Sequence, residues 1–172
     1  MRDQLAKTNC WACCYHSAEY PHGLSDFDDG PPALIGRGDP GLLAELEARR
    51  TVAIVGARRA TTYGREMARQ LAHDLAAEGF TIVSGLSFGI DGCAHRGALD
   101  EGRTVGVLGC GPDISYPESH RSLWRRVSEN GTVLSELPPG TAPWRWTLRA
   151  RSRIIAGLAG TTVVVEAAEL SL

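Results

Sequence analysis

Two adjacent arginines, Arg58 and Arg59, follow directly on Gly56 and Ala57. A guanidinium beside a glycine turn can clamp a phosphate through two parallel hydrogen bonds, while the bare backbone offers its own N–H groups. Two further glycine-marked runs, Gly85-Leu86-Ser87-Phe88-Gly89 and Gly109-Cys110-Gly111-Pro112-Asp113, repeat that composition downstream. Three such runs suggest an anion site, although tight strand-to-helix turns also use glycine for purely local reasons. The first run is neither a Walker A sequence nor G-x-G-x-x-G, so a kinase-like or dinucleotide reading lacks its fingerprint.

A second kind of chemistry sits between Trp144 and Arg153, where WRWTLRARSR carries Arg145, Arg149, Arg151 and Arg153 without an acidic residue. Positive grooves with interleaved aromatic platforms hold single-stranded nucleic acid, each stacked base contributing roughly 1 to 3 kcal/mol. Trp144 or Trp146 could be such a platform; either could equally be an anchor that pins the proline-rich segment Pro138–Trp146 to the core. The run RSLWRR, with Arg121, Arg125 and Arg126, reads first as a solvated surface.

Other constellations point away from catalysis. Asp91 and His95 are four apart and share a helix face, the spacing of an acid/base pair, but no nucleophile stands at a recognisable elbow. The simpler expectation is that Asp91 orients its own loop and His95 packs beside it. Cys10, Cys13, Cys14 and His16 are suitable zinc ligands, yet no second ligand pair follows at a usual spacing, so no metal site is expected. Five cysteines in a chain without a secretion signal also argue against a disulfide framework.

The formal net charge of -2 gives no global attraction to a polyanion, so such a partner must be met by a local patch. No run of apolar residues approaches a membrane span, and the polar opening from Met1 to Gln4 does not resemble a signal peptide, so a cytoplasmic protein is expected.

The elements that must position these residues are legible as alternating strand and helix patterns from Thr51 onward. Thr51–Val55, Thr81–Ser84, Thr104–Leu108, Thr132–Ser135 and Thr161–Glu166 are rich in β-branched residues. Between them, Met67, Leu71 and Leu75 define one helix face, capped by Thr61 or Thr62 and ended by Gly79. Further helices are expected over Ile90–Leu99, Pro117–Ser128 and Ala150–Leu158. The pattern predicts an α/β, Rossmann-like three-layer fold with a mostly parallel sheet, in residues 51–172. Residues 1–50, with Pro21, Pro31, Pro32 and Pro40, read as a short irregular N-terminal extension whose end, Pro40–Leu46, forms a short helix. Right-handed crossovers then gather the three glycine loops at the carboxyl edge of the sheet.

The ordered set VAIVGARRAT, IVSGLSFGIDGCAHRGAL, VGVLGCGPDISYP, SELPPGT and RSRIIAGL followed by TTVVVEA resembles the DprA/Smf family of DNA-processing proteins over Thr51 to Ala167. Upstream, Tyr20-Pro21, Pro31-Pro32-Ala33-Leu34 and Gly36–Pro40 are similar to the family's lead-in. The resemblance implies a protein that binds single-stranded DNA without strong sequence preference, without catalysis and without a cofactor, and hands it to the RecA recombinase in natural transformation. It also implies that Arg58 belongs to the basic pocket and that the segment before the R-x-R-I-I helix lines it. With the residue-level reading, the candidate DNA and phosphate contacts are Gly56, Arg58, Arg59, Gly85, Gly89, Trp146, Arg151 and Arg153. Expected partners are single-stranded DNA, RecA and, as an open option, a second copy of the chain as a homodimer.

This sequence departs from the family in carrying Ser152 where asparagine is usual, Leu148 where an aromatic is common, and Ser87-Phe88 where a small residue and arginine are frequent. If an aromatic normally stacks at Leu148, Trp146 or Phe88 must substitute. The chain also ends where the family continues, so the C-terminal part of the core is expected to be missing. A competing reading is a lysine-decarboxylase-like (LOG-type) nucleoside monophosphate phosphoribohydrolase or a nucleotide sensor, faintly suggested by Gly157–Thr161 and Glu166.

Overall fold

Short β-branched runs, each bounded by glycine, proline or polar residues, make the strands. The intervening segments place small apolar residues at helical spacing. The computed structural model describes residues 2–167. In chain order the elements are α1 (Arg2–Thr8), β1 (Trp11–Cys14), α2 (His22–Ser25), β2 (Ala33–Gly38), α3 (Gly41–Ala44), β3 (Thr51–Gly56), α4 (Thr62–Ala77), β4 (Thr81–Ser84), α5 (Ile90–Glu101), β5 (Thr104–Val107), α6 (Arg121–Asn130), β6 (Thr132–Ser135), α7 (Thr147–Ala150), α8 (Ser152–Leu158) and β7 (Thr161–Val165).

These strands form one sheet in the order β1-β2-β6-β5-β4-β3-β7. From β6 to β7 every pairing is parallel, with Val52 opposite both Ile82 and Thr161. The two N-terminal strands add antiparallel to the β6 side, Ile35 facing Ser135 and Trp11 facing Gly36. The α/β expectation with a mostly parallel sheet therefore holds. The first fifty residues are less irregular than the sequence suggested, since they supply two strands and three short helices.

Side chains alternate across the sheet as the pleat requires. Val52, Ile54 and Ile82 pack on one face against Ala68, Ala72, Ala94 and Ala98 of α4 and α5, and Val133 packs beneath Leu123 and Val127 of α6. Ala53, Val83, Val105 and Leu134 point the other way, to Leu24, Leu42, Leu43, Ile154 and Leu158. The reason is topological. Three successive right-handed crossovers step away from β3 in one direction and put their helices on one face. The return to β7, beyond β3, must then place α8 on the opposite face. The direction of travel reverses at β3, the position where open α/β sheets present a crevice at their carboxyl ends.

Helix α4 corrects one expectation. Its fully covered positions are Gly64, Ala68, Ala72 and Ala76, one residue on from the Met67-Leu71-Leu75 row, and Met67 is 42% exposed. Small side chains let α4 sit close to both the sheet and α5, while the leucines fill the flank. Its ends follow the sequence: Thr61 accepts the Gly64 N–H at 3.0 Å, and Gly79, at φ +79°, closes a Schellman turn in which Phe80 N–H donates to Leu75 O. The last expected helix begins earlier than Ala150 and is split at Arg151 into α7 and α8.

Candidate functional site

The loops leaving β3, β4 and β5 converge at the carboxyl edge, and backbone contacts stitch the first two together. Ile90 N–H, at the start of α5, donates to Ala57 O at 3.3 Å. Gly89 makes this approach possible: it adopts φ +71°, and a Cβ there would overlap the Ala57 carbonyl. At the first loop Gly56 runs against the end of β7, and Ala57 N–H donates to Glu166 O at 2.8 Å.

Beneath these loops lies Arg151, only 6% exposed. Its Nη1 donates to Val107 O at 2.9 Å and to Gly85 O, so one guanidinium ties the ends of β4 and β5. Its Nη2 is 3.7 Å from an Asp91 carboxylate oxygen, and that carboxylate also accepts the Ser87 N–H at 3.3 Å. Gly85 is glycine because a side chain there would displace the guanidinium. Burial pushes the Asp91 carboxyl above the ordinary carboxylate range, against the opposing pull of Arg151, and lowers Arg151 from its own usual value. Asp91 thus orients its loop as the sequence suggested. His95, one turn further along α5, is fully buried with Nδ1 2.9 Å from Thr104 Oγ1, and burial holds it at about 3.

Above this braced floor the surface is open and basic. Gly56, Arg58, Ser87, Leu148 and Arg151 line a cavity of about 150 Å³. Arg58 also faces Phe88 and Tyr116 across a narrow neighbouring cleft. A third recess of about 400 Å³ is lined by Arg58, Arg59, Arg65, Phe88, Arg96 and His120, with Gly89 at its edge. Arg58 borders all three. Arg58, Arg59, Arg65 and Arg96 form no ion pair among the described residues, so their charge is directed at solvent. Phe88 is 47% exposed and stands edge-on to the His120 ring at 5.1 Å between centroids; His120 Nδ1 lies 3.1 Å from Leu86 O, which fixes that nitrogen as the donor.

The N-terminus of α4, the position where many α/β folds seat a phosphate, is already occupied by the chain itself. The Glu166 carboxylate accepts the Thr61 N–H at 2.9 Å and the Thr61 hydroxyl, which holds it below the usual carboxylate range. An anion in this site must therefore be gripped by side chains and the loops rather than by that helix end.

The structure brings Gly56, Arg58, Arg59, Gly85, Gly89 and Arg151 together. It does not bring Arg153 or Trp146 into the same recesses. Arg153 pairs with Glu136 at 2.5 Å and Asp29 at 3.3 Å. Trp146, the residue before α7, is 65% exposed, and Trp144 is 62% exposed, so neither anchors the proline-rich segment. That segment is held instead by Thr147, whose hydroxyl donates to Gly109 O at 2.6 Å, and by Asp113, which accepts the Gly140 N–H at 2.9 Å. Sequence reasoning missed Tyr116, His120, Arg65 and Arg96. The first two follow the third glycine loop; Arg65 lies on the first turn of α4 and Arg96 on the second turn of α5. Cys13 points into the core and Cys14 outward, and among the described residues no His, Cys, Asp and Glu group could hold a metal.

Comparison with known proteins places this geometry in a lineage. A putative DNA processing protein DprA from Mycobacterium tuberculosis is 47% identical over 129 residues, covering 74% of this chain and 33% of that protein. The X-ray structure of DNA processing protein A from Streptococcus pneumoniae superposes with a TM-score of 0.88 at 34% identity, over 99% of this chain and 60% of that one. A Helicobacter pylori DNA processing protein A, whose structure is described for its unique single-stranded DNA binding mode, gives a TM-score of 0.84 at 29% identity, over 95% of this chain and 73% of that one. The chain thus spans about a third of the length of the M. tuberculosis relative. Residues 11–171 match the model of the DNA recombination-mediator protein A family, and the chain belongs to that family.

Proposed function

We propose that this chain binds single-stranded DNA at the carboxyl edge of its sheet, without catalysis, and passes it to a RecA-type recombinase. The observation that carries the reading is the position of Arg58. It borders three adjoining recesses over a floor braced by Arg151, with Phe88 and Tyr116 exposed beside it. Arginines track a sugar-phosphate chain, exposed rings receive unstacked bases, and neither reads sequence. Duplex DNA buries its bases and offers nothing to Phe88 or Tyr116, so single strands are the preferred form. The membership in a recombination-mediator family and the H. pylori relative's single-stranded DNA mode support the same ligand.

The finer parts of the proposal follow the family. RecA loading on incoming DNA during natural transformation, action in the cytoplasm and assembly as a homodimer belong to it. Among the described residues no helix is long and apolar enough to cross a membrane, which is compatible with this setting.

The test is fluorescence anisotropy with labelled oligo-dT and a duplex of equal length at two salt concentrations. Oligo-dT binds more tightly. Its affinity falls with salt, log K declining by about 0.7 per log salt for each phosphate contact. Equal affinity for the duplex, or no salt dependence, contradicts the proposal.

A further inference from the structure

A larger basic cleft lies on the other side of the β5–α6 loop, and the site already described does not account for it. It measures about 800 Å³ and is bordered by Trp11, Arg37, Ser115, Arg121, Trp124 and Arg125, between the antiparallel edge of the sheet and α6. Arg37 stacks on Trp124 at 5.0 Å from the ring centroid and donates one Nη1–H to Thr8 O at 3.2 Å. Stacking and that single bond orient the guanidinium and leave its other N–H groups for an anion. Arg121 and Arg125 are four apart on one exposed face of α6, and none of the three arginines forms an ion pair among the described residues. The Trp124 Nε1–H is buried without a partner. Of the two carboxylates at the border, Asp113 is engaged with the Gly140 N–H at 2.9 and 3.1 Å, which leaves Glu129.

One loop separates this cleft from the Arg58 recesses. Tyr116, Pro117 and His120 face Arg58, while Ser115 and Arg121, their neighbours in the chain, face Arg37. Two clusters of guanidiniums without ion pairs among the described residues, on either flank of one loop, match an anion whose charge repeats along its length. A single phosphate would need only one of them.

We propose that the strand held at Arg58 continues across the β5–α6 loop into this second cleft, where Arg37, Arg121 and Arg125 hold its phosphates. The inference rests on the single-strand reading above and adds a second segment to it. A short oligonucleotide fills the first site alone. A longer one engages both, and gains affinity and a steeper salt dependence from the second.

The experiment compares oligo-dT of about 6 and about 20 nucleotides, lengths that bracket one such site, by anisotropy. Arg121→Glu/Arg125→Glu binds the long probe at least about tenfold more weakly. The slope of log K against log salt becomes shallower by about 1.4, as expected for two lost phosphate contacts. The short probe is bound as before. Arg126→Glu, on the same helix but paired with Asp100 at 3.9 Å, is the charge control and leaves both probes unaffected. Unchanged long-probe affinity and slope in the double variant overturn the proposal, as does an equal loss with Arg126→Glu. Failure of the wild-type protein to bind the short probe is a different result and counts against the Arg58 site itself.

Discussion

Arg151 spends its donors inside the molecule, on Gly85 O, Val107 O and Asp91, whereas Arg58 is exposed and uncommitted among the described residues. The two arginines share a cavity but differ in role: one holds the strand ends in place and the other is left facing solvent. Replacing Arg151 with alanine leaves two carbonyls and a buried carboxylate without their partner. Breaking a buried pair in this way costs about 3 to 5 kcal/mol. Urea denaturation of Arg151→Ala should show that loss, and Asp91→Asn in the same chain should restore part of it, since the two effects are coupled. A variant that keeps full stability and loses only DNA binding would instead make Arg151 a direct contact. Arg58 was legible in the sequence because a glycine turn and two adjacent arginines are local features. The separate fates of Arg151 and Arg153 were not. They depend on Gly85, Val107, Glu136 and Asp29, which only the fold brings near.

At the scale of elements, α5 shows how the edge is kept rigid. Asp91 faces the loop and His95 faces the core, where Thr104 donates its hydroxyl to Ile82 O at 2.7 Å and so leaves its oxygen to accept the His95 Nδ1–H. His95 Nε2 has no partner, and burial holds the imidazole at about 3, well below its value of 6.5 in an unfolded chain. The folded state therefore excludes a proton that the unfolded state binds. Stability from this residue is complete above pH 6.5 and declines as pH falls from 6.5 toward 3. The loss amounts to about 2 kcal/mol by pH 5, at about 1.4 kcal/mol per pH unit. Thermal melts from pH 7 to pH 5 should show the decline, and His95→Gln should flatten it; an equal slope in that variant would assign the effect to other groups.

The parallel core was readable from β-branched runs and helical spacing. The antiparallel edge was not, because β1, Trp11–Cys14, holds no β-branched residue and β2 carries Gly36, Arg37 and Gly38 in place of a β-branched run. The Trp11 ring covers Gly36 across the pair, a contact that exists only once the strands are aligned. Likewise the leucine row of α4 looked like its buried face because periodicity reports where apolar side chains recur. How closely two helices approach is set by the alanines between them.

Across the whole molecule, 18 basic residues are outnumbered by 20 acidic ones, and all but one of the basic residues are arginine. Attraction to a polyanion therefore comes from where the charge is left unpaired. Arg69, Arg103, Arg126, Arg151 and Arg153 are matched with carboxylates, while Arg58, Arg59, Arg65 and Arg96 around the first recesses and Arg37, Arg121 and Arg125 around the second cleft are not matched among the described residues. That distribution was only partly visible in sequence: WRWTLRARSR stood out as basic and aromatic, yet its tryptophans lie outside the recesses and the exposed rings that border them are Phe88 and Tyr116.

The measurement that bears most directly on the single-strand site is the affinity of Arg58→Glu for short oligonucleotides of several sequences, set beside the wild-type protein across a salt series. Loss of at least about tenfold, equal for every sequence, with a salt slope shallower by about 0.7, is the outcome expected for a phosphate contact at the centre of the cleft. Affinity and slope that match the wild-type protein would contradict it.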